Sequence, residues 1–98
     1  MKKVVYIASA YSGNIENNVE LTRAYSRYAV SEEACPLNPV LNLHGVLDEG
    51  SDREKALSID LELLHRCDEL WVFGIPTKGM KREIAEAEKL KMPVRYFS

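Results

Sequence analysis

The stretch Leu70-Trp71-Val72-Phe73-Gly74 is followed, two residues later, by Thr77-Lys78-Gly79-Met80-Lys81-Arg82-Glu83. The first run is continuously apolar and rich in aromatic and branched residues, the pattern of a strand covered on both faces. The second begins as a polar turn with a hydroxyl, a glycine and basic side chains. Ile84, Ala85, Ala87 and Leu90 then recur at helical spacing, which predicts a helix from about Gly79 to Lys91 with Glu83 on its first turn. A buried strand running through a polar turn into a helix is half of a βαβ unit, so this stretch predicts a parallel sheet.

The same alternation extends in both directions. Upstream, Ser51 or Asp52 caps a helix carrying Ala56, Leu57, Ile59, Leu61, Leu63 and Leu64. Before it, Leu41 to Gly50 reads as an irregular or short helical connection, and Cys35 to Val40 as a short strand limited by Pro36 and Pro39. Ile15 to about Glu33 is a helix with Val19, Leu21, Ala24, Tyr25, Tyr28 and Ala29 on its apolar face and Asn14 as N-cap. Lys2 to Ala8 is a first strand, closed by the polar turn Ser9 to Asn14. Downstream, Pro93 to Phe97 is the last strand. The order β-α-β-α-β-α-β, without linker or repeat, predicts one α/β domain over residues 1–98. It is a small Rossmann-like or flavodoxin-like three-layer sandwich whose four-stranded parallel sheet has order 2-1-3-4. The switch point then lies between the first and third strands, where the loops after Ala8 and Gly74 open onto a ligand.

Ninety-eight residues, 46% of them hydrophobic, support one core but not a deep cleft. A net charge of −2 gives no footprint for a nucleic-acid polymer, although a basic cluster can hold a single phosphate. Cys35 and Cys67 have no C-x-x-C spacing and read as reduced, buried thiols of a cytoplasmic protein. The apolar run at the N-terminus is broken by Tyr6 and Ser9 and is too short for a signal or membrane segment.

Three polar residues stand out, two of them because they interrupt apolar stretches and the third by its place at a helix start. Tyr6 sits inside the first strand, Asp60 lies between Ile59 and Leu61, and Glu83 follows the Thr77 turn. Each has an ordinary explanation: core packing for Tyr6, a solvent-facing position for Asp60, helix-dipole pairing for Glu83. Brought together at the sheet edge, two carboxylates and a phenol suit displacement at an anomeric carbon, one attacking while the other manages protons. Thr77, Lys78, Gly79 and Arg82 have the make-up of a phosphate cradle at a helix start, or of a solvated basic turn. Ser9, Ser12 and Gly13 face it from the first loop. No P-loop, G-x-G-x-x-G fingerprint, H-E-x-x-H helix or G-x-S-x-G elbow is present. His44 and His65 have no ligand-like spacing with the cysteines, so neither a metal nor a cofactor is expected. His44 reads as a surface or capping residue or as a contact to a base. Asp48 to Glu54 reads as a solvated loop and helix start, or as a mobile wall.

These residues resemble the nucleoside 2-deoxyribosyltransferase-like superfamily, which includes 2′-deoxynucleoside 5′-phosphate N-hydrolases, and are most similar to short uncharacterised bacterial and phage domains of that type. Val5-Tyr6-Ile7-Ala8-Ser9 resembles the family's first strand, Asp60 to Asp68 its helix with an active-site aspartate, and Gly79-Met80-Lys81-Arg82-Glu83 its Gly-x-x-x-Glu turn. The resemblance spans nearly the whole chain. It implies that Glu83 attacks C1′ of a (deoxy)ribosyl group, that Asp60 assists the leaving base and that Tyr6 positions Glu83. Thr77 stands where transferases of this kind often carry an aspartate for the sugar 5′-hydroxyl. A hydroxyl beside Lys78 tolerates a phosphate, which implies a nucleotide substrate. Lys81 and Arg82 depart from the small or apolar residues of better-known members. The resemblance also implies a homodimer or higher homo-oligomer, for which Tyr25, Tyr28 and Leu64 are interface candidates or simply core. The partner expected is a small nucleotide or nucleoside, not a membrane. A noncatalytic module that sequesters a signalling nucleotide, or a structural protein on the same fold, uses the same residues.

Overall fold

The computed structural model describes residues 1–48 and 50–98. Four strands, β1 (Val4–Ala8), β2 (Cys35–Leu37), β3 (Glu69–Phe73) and β4 (Val94–Phe97), pair in parallel in the order β2-β1-β3-β4. This is the order that the alternating pattern predicts. Helices α1 (Ile15–Ser31), α2 (Pro39–Leu43), α3 (Arg53–Leu64) and α4 (Lys78–Lys89) make the connections.

The two central strands are apolar on both faces because both faces are covered. On one face Tyr6, Ala8, Leu70 and Val72 pack with Leu64 of α3 and with Met80 and Ala87 of α4. On the other, Val5, Ile7, Trp71 and Phe73 pack with Ala29 and Ala34, and Tyr25 and Phe97 close the layer. Tyr25 stacks on Phe73, and Phe73 on Phe97, with ring centroids 4.3 and 4.7 Å apart.

Local chemistry sets the helix ends. Asn14 caps α1 by accepting from the Asn17 N–H. Asn38 caps α2, with Pro39 at the first helical position. Both α1 and α4 end in a residue of left-handed conformation, Glu33 (φ 64°) and Lys91 (φ 57°). In each case the next N–H reaches back to a carbonyl of the last turn, Ala34 to Ala29 and Met92 to Ala87.

Four expectations are corrected. The second strand stops at Leu37 rather than Val40, because the Asn38-Pro39 pair starts a helix there. Cys35 is exposed, since it opens the edge strand, whereas Cys67 is buried. Glu83 lies in the second turn of α4, not the first: the helix begins at Lys78 under a Thr77 cap, which makes Glu83 its sixth residue. The buried stripe of α1 is Val19, Thr22 and Ala29, with Leu21 and Ala24 exposed. Leu64 is fully buried and so belongs to the core.

Candidate active site

Glu83 occupies a core position of α4, in line with Met80 and Ala87, the buried residues one turn to either side. That spacing turns a carboxylate inward over the sheet, where Tyr6 rises from the centre of β1. The Tyr6 hydroxyl donates to Glu83 Oε2. Tyr6 is completely buried and Glu83 is 7% exposed, so the phenol is the carboxyl group's hydrogen-bond partner, shielded from solvent. Asp60, half-buried on α3, leaves Oδ1 buried without a partner. All three side chains line one open cavity of about 410 Å3, in the size range of small-ligand pockets.

Burial dominates the electrostatics. Removal from water pushes the Glu83 carboxyl up to about 8; the Tyr6 hydrogen bond opposes the rise and Asp60 adds to it. Asp60 is raised to about 6 by burial. The Tyr6 phenol is raised well above its usual range by burial and then by the two carboxylates, so it stays a donor. Near neutral pH, two adjacent carboxyl groups in this site therefore hold one proton between them.

Around this floor, Ser9 and Ser12 line the cavity from the loop after β1, and Thr77, Lys78, Gly79 and Arg82 from the start of α4. Of the predicted binding residues, Gly13 is the one that does not line it; with φ +99° it makes the turn into the α1 cap. The Thr77 hydroxyl accepts from the Met80 N–H, so the cradle residue is also the helix cap. Arg82 reaches Glu54 at 4.0 Å across the rim, an exposed and weak pair.

The wall opposite was not found from the sequence. Pro39, Val40 and Leu43 of α2, with Leu47 and Leu57, form an apolar side, and Tyr11 and His44 stand at its edge. The Tyr11 hydroxyl lies 2.8 Å from His44 Nδ1. An Asn-Pro pair followed by Val-Leu-x-Leu was the available signal, a cap and first helical residue leading an apolar turn. Of the run expected to form a solvated or mobile wall, Asp48, Arg53 and Glu54 line the cavity; Glu49 lies outside the described residues. Asp48 Oδ1 accepts from the Gly50 and Ser51 N–H groups at 2.9 Å each. No group of His, Cys, Asp and Glu suited to a metal occurs among the described residues. Nor is any of the described helices long and apolar enough to cross a membrane.

The chain is thus a parallel α/β sheet with a carboxyl pair at its switch point. Its solved neighbours include a 2-deoxyribosyltransferase from the psychrotolerant bacterium Bacillus psychrosaccharolyticus, with TM-score 0.75 and 20% identity over 97% of this chain and 72% of that one. A 2-desoxiribosyltransferase from Leishmania mexicana aligns with TM-score 0.73 and 18% identity, over 98% of this chain and 64% of its own. At these identities the likeness is one of fold. No curated protein matches the sequence. Residues 3–97 match the family described as "Domain of unknown function (DUF7768)", and the chain belongs to that family.

Proposed function

We propose that the chain is an N-glycosidase or deoxyribosyltransferase acting on a nucleoside 5′-monophosphate or a related nucleotide. The observation that carries this reading is the buried Tyr6–Glu83 hydrogen bond beside an unpartnered Asp60 oxygen, in one cavity. The names of the fold neighbours, both 2-deoxyribosyltransferases, support it.

In this scheme the ionised Glu83 attacks C1′ while the C1′–N bond breaks. The base leaves with the bonding electron pair and takes a proton from Asp60. Tyr6 holds Glu83 in line by its hydrogen bond. Water, or a second base, then attacks C1′ and gives its proton to the Asp60 carboxylate as the C1′–O bond to Glu83 breaks, giving the free sugar phosphate or a new nucleotide and restoring both carboxyl groups. Thr77, Lys78, Gly79 and Arg82, with Ser9 and Ser12 opposite, receive the phosphate, and the apolar wall takes the base. The scheme uses no metal or cofactor. The proposal includes a cytoplasmic protein that forms a homodimer or higher homo-oligomer, with its contact at the α1 face around Tyr28, which is 39% exposed.

The test is free-base release, followed by chromatography, from ribo- and deoxyribonucleoside 5′-monophosphates and their parent nucleosides. Wild type releases base and Glu83→Ala does not. A folded wild-type protein that releases nothing from any substrate sinks the proposal.

One observation favours a second reading. With its carboxyl raised to about 8, Glu83 carries a proton at neutral pH in the free protein, the form that does not attack. A noncatalytic module that captures a signalling nucleotide has no need of the ionised form. It is distinguished by micromolar or tighter binding without release, weakened when Lys78 or Arg82 is removed.

A further inference from the structure

Thr22 is fully buried in α1, yet it is polar and faces neither the carboxyl pair nor solvent. Among the described residues its Oγ1 makes hydrogen-bond contact with Ser9 Oγ at 2.6 Å and Asn38 Nδ2 at 3.0 Å. The orientation of the Asn38 amide is fixed from both ends. Its Oδ1 accepts from the Leu41 N–H as the cap of α2. Its Nδ2 faces the Thr22 carbonyl at 3.1 Å, a group that only accepts, and Ser26 Oγ at 2.9 Å. Towards Thr22 Oγ1, Asn38 Nδ2 can therefore only donate, sharing its two protons among these three oxygens, and cannot accept the hydroxyl proton. A hydroxyl buried away from water must place its own proton on an acceptor, and the acceptor in reach is Ser9 Oγ. Ser9 thus receives a hydrogen bond from Thr22, and its own proton is directed elsewhere. Ser9 lines the cavity.

We propose that Asn38, Thr22 and Ser9 form a directional hydrogen-bond relay that presents the Ser9 hydroxyl proton to the cavity, making Ser9 a donor to an acceptor oxygen of the bound ligand. Asn38 and Thr22 are positioning residues in this relay. The oxygen is a phosphoryl oxygen or a sugar oxygen, which share the chemistry of accepting. The relay has a second effect. Asn38 is also the cap of α2, so one amide ties the polarity of Ser9 to the placement of the apolar wall carried by Pro39, Val40 and Leu43. The inference deepens the reading above, from which it takes only that the cavity receives a small ligand.

Two measurements test it. A neutron structure of the free protein places a deuterium on Thr22 Oγ1 directed at Ser9 Oγ, with the Ser9 deuterium directed into the cavity. A Ser9 deuterium directed at Thr22 overturns the relay. The second is calorimetric titration with deoxynucleoside 5′-monophosphates and their parent nucleosides. Ser9→Ala weakens binding by about 2- to 10-fold, the range of one neutral hydrogen bond. Thr22→Val, similar in shape but without the hydroxyl, causes part of that loss, and the double variant is no weaker than Ser9→Ala. Thr22→Ser restores wild-type affinity. Equal affinities for wild type and Thr22→Val, or a Thr22→Ser variant as weak as Thr22→Val, overturn it. Loss of affinity for the monophosphates alone assigns the donor to phosphate, and equal loss for the nucleosides assigns it to the sugar. The neutron result decides the relay even where the wild type binds none of these probes, an outcome that removes only the nucleotide reading.

Discussion

A carboxyl group at a core position of a helix is held there at a cost to the fold. Glu83 has a folded pKa raised above its usual value, so the folded form binds its proton more tightly than the unfolded chain does. The stability this proton supplies is fully present at pH values below the usual glutamate range and is lost as pH rises toward about 8. Glu83→Gln keeps an acceptor for the Tyr6 hydroxyl and removes the ionisation. We expect it to raise the free energy of unfolding by roughly 2–4 kcal/mol at pH 9 and by less than about 1 kcal/mol at pH 4, read from urea titrations. Equal effects at the two pH values would show that burial of the charge is not what Glu83 costs the fold. The same pair sets the pH dependence of the proposed reaction. The scheme needs Glu83 ionised and Asp60 protonated, the minor tautomer of the singly protonated pair, and that pair is most populated between their values of about 6 and about 8. kcat/KM should therefore trace a bell with its maximum near pH 7, and a flat profile across pH 5–9 would remove the carboxyl pair from the rate. At this scale the sequence was legible where a polar residue broke an apolar run, as with Tyr6 and Asp60, and where a polar turn led into a helix, as with Glu83. It was not legible at Thr22. A threonine among helix residues carries no periodic signal of its own, and its burial depends on acceptors and donors supplied from Ser9 and Asn38 elsewhere in the chain.

Between helix and strand, boundaries follow caps rather than hydrophobicity. Thr77 caps α4 so that it starts at Lys78, five residues before Glu83, which therefore lies past the first turn and beyond the main reach of the helix dipole. Glu33 and Lys91 hold left-handed positions that glycine fills without strain. Lys91→Gly relieves that strain while adding freedom to the unfolded chain, so the net gain is about 0.5–1 kcal/mol, seen as a higher urea midpoint at unchanged slope. A loss of stability would mean that the Lys91 side chain makes a contact worth more than the strain. Helix α2 was harder to read, because five residues give too short a window for periodicity. Its existence rests on the Asn38 cap and on packing against α1, α3 and β1, and the packing is a tertiary fact. Helix α3 shows the same limit from the other side. Leu57 and Ala56 face the cavity rather than the core, so its apolar residues do not form one stripe.

Across the whole molecule, alternation of strand and helix was enough to set the sheet order, since right-handed parallel crossovers leave few other arrangements. One layer is thinner than the other. Over β3 and β4 the aromatic face is closed by Tyr25, Tyr28 and Phe97 under α1 alone, with the Arg95 guanidinium 4.8 Å from the centre of the Trp71 ring. The proposed oligomer uses this side. Tyr28→Glu should shift the sedimenting species to a single chain at micromolar concentration without unfolding it, and an unchanged mass would place the contact elsewhere or remove it.

The Tyr6–Glu83 contact joins residues 77 positions apart in the chain. During synthesis, Tyr6 emerges long before the carboxyl that will receive its proton, and every earlier stretch of polypeptide lacks the pair. Until Glu83 has been added, the growing chain lacks the pair that the proposed chemistry requires. Joining distant segments is also among the slower events in folding. The buried phenol thus registers docking: its hydrogen bond exists only once α4 has packed on β1.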